Sequence, residues 1–150
     1  MPQSLVNLNY HLIFSTKGRE PFIDHQLQLR LFEYISGLLR AESSRLLIAG
    51  GMPDHVHCLV SLHQGIAVAD AVRIMKSCTS KWIHETFPRH AGFAWQAGYG
   101  AFTVSSSNLS KVESYILKQS DHPRRVSFQE EYLAFLQRHK ISYEERYLWD

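Results

Sequence analysis

The chain has 150 residues, 45% of them hydrophobic and 12% aromatic, which suits one globular domain with a buried core and excludes a disordered or low-complexity segment. A net charge of +2 does not by itself announce nucleic-acid binding, although 16 Lys and Arg can still gather into a local stripe. The longest apolar runs fall short of a membrane span, "MPQSLVNLNYHLIF" lacks the features of a signal peptide, and Cys58 and Cys78 make no disulfide framework, so a cytoplasmic protein with reduced, buried thiols is expected.

The first element is "LNYHLIFSTK" (8–17), a strand in which Tyr10, Leu12 and Phe14 alternate with His11, Ile13 and Ser15. "GREP" is a turn, and Asp24 caps a helix with apolar positions Leu27, Leu31, Tyr34, Ile35 and Leu38. "RLLIAGG" and "DHVHCLVSL" read as two strands joined by a hairpin at "GGMP". Helical spacing returns at Val68, Val72, Met75, Thr79 and Trp82 and ends near Pro88. "FAWQAGYGAFTV" reads as a strand whose glycines allow something to pack closely. Capping boxes at Ser110/Glu113 and Ser127/Glu130 predict two further helices, the first stopping before Pro123. The aromatic, charged tail "ISYEERYLWD" is expected to dock on the rest.

Strand, helix, strand, strand, helix, strand is the order of a ferredoxin-like split unit. The expected fold is therefore α+β, ferredoxin-like (RRM-like): one domain over 1–150, an antiparallel four-stranded sheet with helices on one face, plus C-terminal helices. Such a sheet leaves its other face free for a site or a partner.

Chemistry concentrates in "GGMPDHVHCLVSL" (50–62). Strand alternation sends Val56, Cys58 and Val60 to one side and His55 and His57 to the other, where the open face is expected. Two imidazoles held side by side can chelate one divalent ion, yet such pairs are more often merely solvated or hydrogen-bonded. His63, next on the same face, is too far along to complete a site. In "SYILKQ", Tyr115 and Gln119 are four apart and share a helix face beside the apolar stripe of Leu109, Val112 and Ile116. Taken alone, each is an ordinary packing or solvated residue.

Together the pieces match a pattern. The H-hydrophobic-H strand followed by a helix with Y-x-x-x-Q resembles the HUH-superfamily single-tyrosine transposases of IS200-like insertion sequences. "YHLIFSTKGREPF", "GGMPDHVHCLVSL", "KSCTSKWIHE", "FAWQAGYGAFTVS" and "SYILKQSDHPRRVSFQEEY" look like that family's blocks, in its order and over nearly the whole chain. The resemblance implies metal ligands at His55, His57 and Gln119 and a nucleophile at Tyr115. A related branch, associated with repetitive extragenic palindromes, usually carries asparagine-proline after its tyrosine; "KQSDHPRRVSFQEEY" favours the insertion-sequence branch.

What the resemblance implies is a DNA transposase that cuts and rejoins single-stranded DNA, bearing hairpins at the element ends, through a 5′-phosphotyrosine intermediate. The implied cofactor is Mg²⁺ or Mn²⁺, and the implied assembly is a homodimer in which Tyr115 can serve the partner's histidines. Arg73, Lys76, Ser77, Ser80 and His84 recur on one helix face and, with Lys81, form either a solvated surface or a phosphate-contacting one. Lys17, Arg19, Arg124 and Arg125 are further candidates for DNA contact. Two other classes compete: a domesticated or inactive relative that binds DNA hairpins without mobilising an element, and a generic ferredoxin-like RNA- or metabolite-binding domain. The absence of an aromatic RNP-type strand weakens the last.

Overall fold

The fold is that of a computed structural model, which describes residues 3–119 and 126–150. Four strands, β1 (Asn9–Ser15), β2 (Arg45–Met52), β3 (His55–Ser61) and β4 (Gly100–Thr103), form one sheet in the order β2-β3-β1-β4. Every neighbouring pair is antiparallel. The helices are α1 (His25–Ala41), α2 (Val68–Thr86), α3 (Leu109–Leu117), α4 (Phe128–Arg138) and α5 (Glu145–Leu148). This is the ferredoxin-like arrangement expected from the element order.

The first face of the sheet carries the larger core. Leu12 and Phe14 of β1 and Val56, Cys58 and Val60 of β3 meet Leu27, Leu31, Ile35 and Leu39 of α1 and Val72, Met75 and Ile83 of α2. Removing each such side chain from water contributes about 1.5–3 kcal/mol, so the three-and-four spacing of the helices is enough to seat them. Asp24 starts α1 as expected, its Oδ1 accepting the Leu27 amide at 2.8 Å. Complete burial pushes the Cys58 thiol up to about 12, which makes it a packing residue and not a nucleophile.

The second face is not open, and here the sequence expectation is corrected. α3 and α4 cover it: Ile13 and Phe102 pack against Phe128, Tyr132, Phe135 and Leu136, while Leu59 packs against Val104 and Ile116. All of β3 except Ser61 is buried, with His55 5% and His57 0% exposed. Alternation assigned the histidines to the right side of the strand; it carried no information about the C-terminal helices that close over them.

Three local details also differ. Only Gly100–Thr103 of "FAWQAGYGAFTV" is strand; the segment before it meets the end of β1 through a Thr16–Trp95 bridge and through Gln96, whose amide donates to the Ser15 carbonyl while its Oε1 accepts the Ser15 amide. The close packing anticipated there is real, since a Cβ at Gly100 would stand 2.7 Å from Tyr132 Cε1 of α4. α3 begins at Leu109, after a 3-10 turn over Ser106–Asn108, so Ser110 lies inside the helix and caps nothing. The second capping box does form: Ser127 Oγ accepts the Glu130 amide at 3.2 Å and opens α4. The tail docks as expected, with Trp149 against Phe128 and Tyr132 and the Asp150 carbonyl accepting from the amides of Ala97 and Gly98.

Candidate active site

β3 sets His55 and His57 two residues apart on the covered face, opposite Ser15 and Ile13 of β1, with ring centroids 5.1 Å apart. Each ring is held from behind. His55 Nδ1 lies 2.7 Å from Asp54 Oδ1, and His57 Nδ1 lies 2.8 Å from His11 Nε2. Both rings therefore turn Nε2 toward the same space. A partner on Nδ1 fixes which nitrogen carries the proton and leaves Nε2 available as a ligand.

α3 brings the remaining predicted residues to that space. It crosses β2 at Gly50, where an added Cβ would collide with the Ile116 carbonyl. Only a glycine admits this approach, and it places the Tyr115 ring 5.7 Å from the His57 ring. α3 ends at Leu117, so Gln119 stands past the helix and not on its face. It is buried nonetheless, with Oε1 3.4 Å from His55 Nε2. The structure thus brings together His55, His57, Tyr115 and Gln119.

A fifth residue enters from α4, and sequence reasoning missed it. Glu131 Oε1 lies 3.0 Å from His57 Nε2 and 3.4 Å from His55 Nε2. Its Oε2 accepts from the Tyr115 hydroxyl and, at 3.3 Å, from Gln119 Nε2. Ligand atoms of His55, His57 and Glu131 all lie within 4.8 Å of one another, a spacing that can hold a metal ion. The signal available in "SFQEEYLAF" was an acid lying three after Phe128 and four before Phe135, on the stripe that faces the sheet. His11 and Asp54, which brace the two imidazoles, were likewise not singled out.

These contacts set the electrostatics. Burial disfavours the charge on His55, but its bonds to Asp54 and Glu131 outweigh this and raise it to about 9. His57 is lowered, chiefly by burial, with the nearby His55 adding to the effect against Glu131. His11 falls to about 3, first through burial and then through the neighbouring His57, so it is a neutral ring at physiological pH. Burial works to raise Glu131, yet hydrogen bonds from His55 and His57 hold its carboxyl far below the usual range. The Tyr115 phenol is pushed up by burial and then by its bond to Glu131.

The group opens on a cleft of about 690 Å³ lined by Asp54, His55, Tyr115, Gln119, Glu131 and Arg138. A second cleft of about 420 Å³ reaches Tyr115 from the other side, past His11, Phe102, Lys111, Arg138 and His139. A substrate can therefore approach the hydroxyl along a surface that carries cations on one flank.

The suggested DNA contacts lie elsewhere, on α2 and after β1. Arg73 and Lys81 are exposed, in loose pairs with Asp70 at 3.5 Å and Glu85 at 4.0 Å. Lys76 is turned inward, its Nζ donating to the carbonyls of Gln96, Ala97 and Gly98. Ser77 Oγ donates to the Arg73 carbonyl, Ser80 is half-buried, and His84 Nε2 bonds the Phe93 carbonyl at 2.7 Å. Lys17 and Arg19 form a 3-10 turn, with the Arg19 guanidinium 5.8 Å from the Trp149 ring. Arg124 and Arg125 fall outside the described residues.

Comparison with known proteins supplies the context. Residues 4–119 match the family model described as "Transposase IS200 like". The ISDra2 transposase TnpA of Deinococcus radiodurans is 26% identical over 119 residues, covering 76% of this chain and 85% of that protein. The transposase of insertion sequence IS200 from Salmonella typhimurium is 25% identical over 124 residues, covering 79% and 80%. A crystal structure from Deinococcus radiodurans R1, assigned to a transposase, superposes with a TM-score of 0.64 at 25% identity over 79% of this chain and 98% of that one. A REP-associated tyrosine transposase bound to a REP hairpin shares the fold, with a TM-score of 0.59 at 13% identity over 79% and 70% of the two chains.

Proposed function

The chain belongs to the IS200-like transposase family, and from that premise we propose that it cuts and rejoins single-stranded DNA, with Tyr115 as nucleophile and His55, His57 and Gln119 as ligands of a divalent ion. The observation that carries this reading is convergence. Two braced imidazole nitrogens, an amide oxygen and a phenol meet beside one cleft although they come from β3, α3 and the stretch just past it.

The donor set fits such an ion: two imidazole nitrogens, once His55 has released the proton that Asp54 and Glu131 favour, and an amide oxygen suit Mn²⁺ readily and Mg²⁺ by abundance. Bound there, it would offset phosphate charge and stabilise the departing 3′ oxygen. The protein's own part is nucleophilic. Tyr115 Oη forms a bond to phosphorus as the phosphorus–O3′ bond breaks, leaving a 5′-phosphotyrosine; the phenol gives up one proton and the departing 3′ oxygen takes one up from solvent to become a 3′-OH, so the step is proton-neutral. Reversal by a 3′-OH returns the tyrosine, so rejoining needs no external energy source. Asp54 and His11 keep the imidazoles aimed throughout.

The substrate in this reading is single-stranded DNA with hairpins near the element ends, supported by analogy with the hairpin-bound relative of the same fold. A homodimer follows from the family resemblance. No described helix is long and apolar enough to cross a membrane. The second reading, a relative that binds hairpins without cutting, is favoured by the same fold neighbour but leaves the convergent residues without a role.

Incubation with single-stranded DNA from the element's ends and Mn²⁺ or Mg²⁺, followed by a denaturing gel, tests the choice. A covalent adduct that disappears in Tyr115→Phe is expected. DNA that is shifted and never cut would favour the second reading, and full cleavage by His57→Ala would overturn the metal assignment.

A further inference from the structure

Glu131 is the one member of the site that the H-x-H and Y-x-x-x-Q pattern does not contain. α4 delivers it because Ser127 caps the helix and Phe128, Tyr132 and Phe135 seat it on the sheet. Phe128 also packs on the His55 ring at 4.8 Å, so the register of α4 against β3 is fixed beside the carboxylate. Glu131 is thus presented by a rigid element and not by a loop.

Its two oxygens face different partners. Oε1 looks at the two imidazole Nε2 atoms, at 3.0 and 3.4 Å; Oε2 looks at the Tyr115 hydroxyl and at Gln119 Nε2. Among the described residues, the contacts to Glu131 come from two imidazoles, a phenol and an amide. A carboxylate drawn into such a site is costly unless it meets a cation. Two imidazole nitrogens and one carboxylate oxygen form a set that commonly binds divalent metals while leaving coordination positions open. The bond from Gln119 Nε2 to Oε2 also settles the amide orientation, with Gln119 Oε1 on the side of His55 Nε2.

We propose that Glu131 is a bridging carboxylate, its Oε1 joining His55, His57 and Gln119 as a ligand of the divalent ion while its Oε2 holds the Tyr115 hydroxyl beside that ion. This rests on the transposase reading above and adds to it a ligand and a positioning role. It has two consequences. The ligand set gains a negative charge, which favours hard, oxygen-preferring ions. The nucleophile is also tied to the metal of its own subunit.

The test is titration of the metal-stripped full chain with Mn²⁺, reading free Mn²⁺ by its electron paramagnetic resonance signal, with no DNA present. Glu131→Gln, which keeps the size and loses the charge, is expected to weaken Mn²⁺ binding by about tenfold or more, and Glu131→Asp to recover part of it. His57→Ala serves as the reference. An ion lost in His57→Ala but held at parental affinity in Glu131→Gln overturns the bridging carboxylate and leaves the histidine reading intact. An ion held equally well in His57→Ala, or not bound by the parent at all, sinks the metal reading and this proposal with it. At saturating Mn²⁺ and DNA, the adduct should still form about 10- to 100-fold more slowly in Glu131→Gln, because a neutral amide holds the Tyr115 hydroxyl less firmly than the carboxylate does. Complete recovery of the rate under saturation would remove the positioning role. Thermal melts of each variant show whether the fold is kept.

Discussion

Gly50 of β2 and Ile116 of α3 meet backbone to backbone, so that a Cβ on Gly50 would collide with the Ile116 carbonyl and stand 3.0 Å from its Cγ2. Gly50 is also the residue paired with His57 across the hairpin. The strand position that neighbours a candidate ligand is therefore the one that lets the tyrosine helix down onto the sheet. Gly50→Ala should lift α3 and carry Tyr115 away from His57. A misplacement of about 1 Å can cost about a hundredfold in rate, so adduct formation should fall by that order. The hydrophobic faces remain, so the loss in melting temperature should be modest, about 2–6 °C for a cost of one or two kcal/mol. Kinetics and a melt on the same preparation check this. A variant that keeps the parental rate would show that the approach is not needed.

Tyr115 stands by its own chain's histidines, its hydroxyl bonded to Glu131 and its ring 6.4 Å from His11. The family resemblance left open a tyrosine serving the partner's site. With the arrangement seen here, mixing Tyr115→Phe with His57→Ala should restore little of the covalent adduct, since no subunit then owns both groups. Recovery of a substantial fraction of parental adduct on mixing would show that α3 works across subunits.

The sequence made the fold legible where one face of an element is enough to define it. Leu12 and Phe14, the set Val56, Cys58 and Val60, and the stripes of α1 and α2 alternate or recur cleanly because all of them point into the one core between the sheet and those helices. It was less legible where burial is two-sided. His55 and His57 looked exposed because strand period tells which residues share a face and says nothing of what lies over it. The cover includes α4, for which the sequence offered a capping box alone and whose Phe128, Tyr132 and Phe135 pack on the sheet. Glu131 was hidden for the same reason: its role exists only once α4 is laid across β3. Alternation grouped His11 with Ile13 and Ser15 on one side of β1, but its bond to His57 depends on the β1–β3 register, which the sequence does not encode locally. Gln119 was legible by motif and misplaced by geometry, since α3 stops two residues before it.

Arg73 and Lys81 offer a different kind of test. Their side chains are 67% and 78% exposed, and their pairs with Asp70 and Glu85 are of the solvent-screened kind that contributes little to stability. If α2 contacts the DNA backbone, each cation neutralises about one phosphate. Arg73→Ala and Lys81→Ala should then each weaken single-stranded DNA binding without changing the melting temperature. Each should also reduce the slope of log affinity against log salt by about 0.7. Unchanged slopes would remove α2 from the interface.

Lys76 lies on the same helix and should behave in the opposite way. Its ammonium donates to the Gln96, Ala97 and Gly98 carbonyls and lies 5.2 Å from the Phe14 ring, so it fastens the loop before β4 to the first core. Lys76→Met would strand those carbonyls at a cost of about 1–3 kcal/mol, lowering the melting temperature by about 5 °C. Burial lowers the Lys76 pKa to about 8, against about 10.4 for a lysine in the unfolded chain. Between those values the unfolded chain binds a proton that the native state has released, so this residue's contribution to stability rises with pH across that window. The difference in unfolding free energy between the parent and Lys76→Met should therefore shift in the parent's favour from pH 8 to pH 10, measured by denaturant titration of both proteins at each pH. Working with the difference removes the other groups that titrate there. A difference that stays flat, or moves the other way, would mean that Lys76 keeps its proton throughout and that the three carbonyls outweigh its burial.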